Sequence, residues 1–86
     1  MHEIEIYSTW RCPQCLKAKN LLEMKDLPYR EIDVSKGGAP LAEMRSRSGS
    51  ESVPQIFIDG ASIGGWDDLV KLKASGELDR LRGSSK

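Results

Sequence analysis

The segment EIEIYSTWRCPQCLKAK sets two cysteines, Cys12 and Cys15, where an alternating run gives way to a helical one. They are the only cysteines among 86 residues. A Cys-x-x-Cys at such a junction limits the fold strongly, because it belongs naturally at the first crossover of a β-α-β unit. Chemically it leaves three readings: a structural disulfide, half of a metal site, or a working redox pair.

The flanking segments extend the pattern. In EIEIYS, Ile4 and Ile6 share one face and Tyr7 opens toward the loop, as in a strand. Pro13 suits a first helical turn. Cys15, Ala18, Leu21 and Leu22 form the apolar face of a helix that ends near Lys25, before Leu27-Pro28. YREIDV is a second strand. SKGGAP is a loop, and Pro40 begins a short helix carrying Leu41 and Met44 until SGSES breaks it. VPQIFIDGASIGG predicts two strands joined at Asp59-Gly60, a strong hairpin signal. Asp67 and Asp68 fit the first turn of another helix, with Leu69, Val70 and Leu72 inward and Gly76 as its cap. ELDRLR adds a last turn. The expected class is α/β, in the order β-α-β-α-β-β-α, with a four-stranded mixed sheet covered by helices on both faces. Residues 1–82 are expected to form one domain and 83–86 a flexible tail.

At the start of the first helix, Cys12 would face unpaired N–H groups and the positive end of the helix dipole, both of which favour the thiolate. Arg11 and Lys17 would add positive potential if they point inward. Cys15, one turn deeper, would be more buried, with a higher pKa, and would act as the resolving thiol. A structural zinc site normally needs four protein ligands, and only His2 remains, so no metal is expected unless two chains share one.

Composition narrows the setting. Thirteen basic and thirteen acidic residues give zero formal charge, without the basic excess of a nucleic-acid binder. No apolar run is long enough to span a bilayer, and MHEIEIYS lacks the basic and apolar regions of a signal peptide. The expectation is a cytoplasmic protein, where a structural disulfide is uncommon.

Four pieces, EIYS, CPQCLKAK, SVPQIFIDG and IGGWDDL, resemble the glutaredoxins, specifically the short bacterial dithiol type, from about Ile4 to Leu81. The resemblance implies a thioredoxin fold and a monomeric, glutathione-dependent oxidoreductase acting on glutathionylated and disulfide-bonded proteins, ribonucleotide reductase among the possible targets. Cys12 is then the nucleophile and Cys15 the resolving thiol of a redox-active disulfide. Pro54 by itself reads as the start of a strand; the resemblance makes Val53-Pro54 a cis-proline loop whose backbone takes the cysteinyl part of glutathione. It also gives the backbone N–H groups of Trp66 and Asp67 to the γ-glutamyl carboxylate, and the Asp67 side chain to its ammonium. Gln14 would lie beside glutathione, and Arg47 would meet its glycine carboxylate or else stand as a solvated charge. Trp10 and Trp66 can each be packing residues, and Trp66 can also border the substrate groove.

The chain departs from the family pattern at Thr9, where many members have lysine, at Ser50 and Glu51, and at Gln14, where tyrosine is common. Arg11 can compensate for Thr9. Gln14 is shared with redoxins that take electrons from thioredoxin reductase and serve ribonucleotide reductase, which keeps that function as an alternative. A dimeric carrier of a glutathione-ligated [2Fe–2S] cluster is another, although its best-suited members have glycine where this chain has Pro13.

Overall fold

Alternation along the first strand sends successive side chains to opposite faces of a sheet. The computed structural model describes residues 2–83. Strand β1 (Ile4–Ser8) leads into helix α1 (Pro13–Met24), strand β2 (Arg30–Asp33), helix α2 (Gly38–Ser48), the hairpin β3 (Gln55–Ile58) and β4 (Ala61–Gly64), and helices α3 (Trp66–Ser75) and α4 (Glu77–Gly83). The sheet order is β2-β1-β3-β4. β1 and β2 run parallel, while β3 is antiparallel to both β1 and β4. This is the thioredoxin-like architecture expected from the sequence.

Each sheet face has its own core. Ile4, Ile6 and Ile56 meet Ala18, Leu21 and Leu22 of α1, Leu69 of α3 and Leu78 of α4. On the other face, Tyr7, Phe57 and Val34 meet Met44 of α2. Burying such side chains is the main driving force for assembling the layers.

Several expectations need correction. Tyr7 does not open toward the loop; it is fully buried under α2, edge-on to Phe57 with centroids 5.5 Å apart. Pleating requires this, since Ile4 and Ile6 occupy the α1 face and Tyr7 must take the other. Helix α2 starts at Gly38, two residues before Pro40, which the first turn accommodates because its N–H groups lack helical acceptors anyway. Val70 is exposed, whereas Leu69 is buried one helical step away. ELDRLR is a separate helix, because Gly76 enters the left-handed region at φ 85° and turns the chain. Gly83 closes α4, and residues 84–86 of the expected tail lie outside the described residues.

The hairpin turn has Asp59 at φ 52° and Gly60 at φ 84°, the paired left-handed conformation favoured by Asp-Gly. The Asp59 carboxylate also binds His2 Nδ1 at 2.6 Å and accepts the Glu3 N–H at 2.8 Å. His2 is thus engaged at the start of β1, the end opposite the cysteines. Among the described residues, no helix is long and apolar enough to cross a membrane.

Strand directions place the site. β1 ends at Ser8, and Tyr7 pairs with Gln55 at the beginning of β3. The segment entering β3 therefore arrives where β1 departs for α1. β4 returns to the same end, with Gly64 opposite Ile56. Cys12, Val53-Pro54 and the start of α3 converge at one edge.

Candidate active site

Cys12 is the N-cap of α1, with extended backbone angles (φ −106°, ψ 108°), and Pro13 follows as the first helical residue. Its Sγ accepts the Cys15 N–H at 3.1 Å, and its carbonyl accepts the Leu16 N–H at 3.1 Å. The residue thus caps the helix with sulfur while remaining partly exposed. Cys15 is fully buried on the inner face of α1. Burial first, then hydrogen bonding to Cys12, pushes its thiol up to about 12, against the opposing pull of the Thr9 N–H and Lys19. Both cysteines are free thiols. One sulfur is open to a substrate, and the other is held back within one helical turn.

The Val53-Pro54 peptide is cis, and the Val53 carbonyl oxygen lies 3.9 Å from Cys12 Sγ. Beside it runs a groove of about 400 Å³, lined by Gln14, Val53, Pro54, Trp66 and Asp67 together with small polar residues including Ser50 and Ser52. Five of the six residues expected around glutathione therefore line one depression next to Cys12. A separate cleft of about 280 Å³ between His2, Tyr29 and Arg30 adjoins neither cysteine.

The start of α3 divides its two acids. Asp68 turns back and accepts the Gly65 N–H at 3.0 Å, capping the helix. Asp67 is exposed and has no hydrogen-bond or ion-pair partner among the described residues. The first main-chain helical bond runs from the Leu69 N–H to the Gly65 carbonyl. The Trp66 and Asp67 N–H groups precede it, so they lack helical acceptors and suit an anion. Gly64 makes the cap possible: it has φ 117°, and a Cβ there would fall 2.2 Å from Asp68 Oδ2. Trp66 is half-buried, packing against the core while bordering the groove.

Arg47 is placed elsewhere. Its guanidinium lies 4.1 Å from the centroid of Phe57 and donates to Tyr7 Oη at 2.8 Å and Glu5 Oε1 at 3.0 Å. It does not line the groove; although the residue is exposed, these contacts pair its charge and fasten α2 to β1. Arg11 is exposed and stacks 4.3 Å over the Trp10 ring, and Lys17 is exposed. Among the described residues, neither donates a hydrogen bond to Cys12. Trp10 is 72% exposed, a stronger surface feature than Trp66. Also missed by the sequence reading was a link between α1 and the sheet: Lys19 Nζ and Ser8 Oγ both bind Glu31 Oε2, at 2.8 and 2.6 Å. The four-residue interval from Cys15 to Lys19 could have signalled part of it. Among the described residues, no group of three or more His, Cys, Asp or Glu is arranged to hold a metal ion.

The chain matches the Glutaredoxin family over residues 4–63. It is 47% identical over 81 residues to Glutaredoxin 3 of Escherichia coli (strain K12), covering 94% of this chain and 98% of that one. The solution structure of glutaredoxin from Brucella melitensis has a TM-score of 0.80 at 43% identity, covering 98% of this chain and 91% of that one. The crystal structure of a buckwheat glutaredoxin–glutathione complex has a TM-score of 0.78 at 25% identity, covering 90% and 73% of the respective chains.

Proposed function

The chain belongs to the glutaredoxin family, and from that premise we propose how its own residues divide the work. It is a glutathione-dependent thiol–disulfide oxidoreductase with a Cys-x-x-Cys active site. Cys12 is the nucleophile. Its thiolate attacks the glutathione sulfur of a mixed disulfide, and the substrate thiol leaves. A second glutathione thiolate attacks the sulfur of the glutathione held on Cys12, so that oxidised glutathione forms and Cys12 leaves as the thiolate. With a protein disulfide, Cys12 bonds to the protein, and Cys15 attacks Cys12 Sγ to release it.

The observation that carries this reading is the position of Cys12 Sγ. It caps α1 at 3.1 Å from the Cys15 N–H and 3.9 Å from the Val53 carbonyl. The groove begins beside it. Val53 offers main-chain groups to the cysteinyl unit of glutathione, as an added strand would. Trp66 and Asp67 N–H groups take the γ-glutamyl carboxylate, and the Asp67 side chain takes the ammonium. Pro54 and Gln14 form the walls. Partners are glutathione and proteins carrying glutathione or a disulfide. The protein acts as a monomer, and a cytoplasmic setting suits a reaction that consumes reduced glutathione.

The test is reduction of the mixed disulfide of glutathione and 2-mercaptoethanol, coupled either to glutathione with glutathione reductase or to thioredoxin reductase. Turnover with glutathione supports the assignment. Turnover with thioredoxin reductase alone would make Gln14 the better guide.

A further inference from the structure

Two large hydrophobic side chains bracket the reactive sulfur while standing in solvent: Trp10 is 72% exposed and Leu16 57%. Trp10 precedes Cys12 by two residues, so their Cα atoms lie within about 8 Å. Leu16 lies one helical turn beyond Cys12, its N–H donating to the Cys12 carbonyl at 3.1 Å. Single exposed apolar residues are ordinary, but a pair on either side of the reacting atom forms a patch with a place in the reaction. Cations interleave with it. Arg11 stacks 4.3 Å over the Trp10 ring, which holds indole and guanidinium together as one preformed unit. Lys17 follows Leu16 on α1, and both are exposed.

This patch lies on the side of Cys12 away from the glutathione groove. The Trp10 N–H donates to Ser35 Oγ at 3.3 Å, in the turn that follows β2. The groove is lined from the β3, β4 and α3 side, and β2 and β3 flank β1 on opposite edges. The two sides also differ in charge. Among the described residues lining the groove, Asp67 and Asp68 are charged and none is basic. On the other side, Arg11, Lys17 and the neighbouring exposed Lys36 form no ion pair among the described residues. The acids there are Asp33, whose carboxylate accepts the Ser35 N–H at 2.8 Å, and Glu31, which Lys19 already neutralises. The first turn of α1 carries no acid, although acids are favoured at that position. The surface is therefore apolar and net positive.

We propose that Trp10, Arg11, Leu16 and Lys17 form the docking surface for the protein half of a disulfide substrate, and that it favours cysteines flanked by acidic and aliphatic residues. The inference rests on Cys12 being the nucleophile of a glutathione-dependent cycle. A groove of about 400 Å³ suits a tripeptide. A protein held at Cys12 must cover surface beyond it, since even one side of an ordinary interface takes about 800 Å². Tryptophan and arginine are the side chains that most often anchor such contacts. The cations attract acidic flanks and reject basic ones.

The experiment measures kcat/KM, with glutathione and glutathione reductase, on two glutathionylated peptides that share a leucine beside the cysteine. One has glutamates as its other flanking residues and the other has lysines. Wild type should prefer the acidic peptide about tenfold at low salt, and the preference should shrink as salt is added. Replacing both cations, Arg11→Gln with Lys17→Gln, should bring that ratio to within about twofold; a ratio between peptides is insensitive to any change in Cys12 itself. Trp10→Ala should lower kcat/KM for the acidic peptide about tenfold and leave the glutathione–mercaptoethanol disulfide within about twofold of wild type. No preference in wild type, an unchanged ratio in the double variant, or equal losses on peptide and small disulfide in Trp10→Ala would overturn the docking surface alone. A wild-type protein that fails to turn over the small disulfide with glutathione would overturn the glutathione-dependent cycle and the docking surface with it.

Discussion

The backbone N–H of Cys15 points at the sulfur of Cys12 from 3.1 Å, while the sulfur of Cys15 itself is fully buried. One residue therefore supports the reactive sulfur through its main chain and holds its own thiol in reserve. Substituting the two side chains should have different consequences. Cys12→Ser should lower turnover of every disulfide substrate by at least about 100-fold, because a serine hydroxyl is a poor nucleophile without a base. Cys15→Ser keeps the N–H, so reduction of glutathionylated substrates should remain within about threefold of wild type while insulin reduction falls at least about tenfold. Parallel steady-state assays on both substrates check this, and residual wild-type activity in Cys12→Ser would refute the assignment.

The two adjacent acids of α3 should separate as cleanly. Asp68 caps the helix through the Gly65 N–H, whereas Asp67 has no partner among the described residues and lines the groove. Asp67→Asn should raise KM for the glutathione mixed disulfide about tenfold with little change in kcat, the pattern of lost uniform binding. Asp68→Ala should cost about 1 kcal/mol of stability through loss of the cap. Urea unfolding and steady-state kinetics on both variants decide between these roles.

Arg47 supplies a further contrast. Its bonds to Tyr7 and Glu5 and its position over Phe57 tie α2 to the sheet. Arg47→Met should therefore lower stability by about 1–2 kcal/mol and leave KM for glutathione unchanged. Among the described residues lining the groove, none is lysine or arginine. Removing the γ-glutamyl unit from glutathione should accordingly weaken it as a reductant more than removing the glycine. Comparing cysteinylglycine with γ-glutamylcysteine in the turnover assay measures this directly.

Burial also gives a pH dependence with a definite sign. In the reduced protein the Cys15 thiol is pushed up to about 12, whereas an unfolded cysteine titrates near ~8.5. Below the unfolded value both states keep the proton, and stability is unaffected. Between the two values the unfolded chain binds fewer protons, so stability of the reduced protein should fall as pH rises above about 8.5. Cys15→Ser should remove that component of the slope. Urea midpoints of the reduced protein from pH 7 to 10 test it.

What could be read from the sequence was local. Pro13 after Cys12, Asp59-Gly60, and the glycines and acids around Trp66 announce a helix start, a hairpin turn and a helix cap through neighbours a few residues apart. The match of SVPQIFIDG marked Val53-Pro54 in the same way. Hidden features depended on pairs distant in sequence. Arg47 meets Glu5 across 42 residues, and Lys19 meets Glu31 across 12. Tyr7 could be placed only once α2 was known to cover the second face of the sheet. Helix α4 was obscured because Gly76, a sound end for α3, also starts a new direction that buries Leu78.

The most direct measurement joins glutathione to the Cys15→Ser protein by treatment with oxidised glutathione, then combines mass spectrometry with amide chemical-shift mapping. The account predicts one glutathione on Cys12 and the largest shifts at Val53, Trp66 and Asp67. An adduct on Cys12 whose shifts leave those amides untouched and cluster on another face would contradict it.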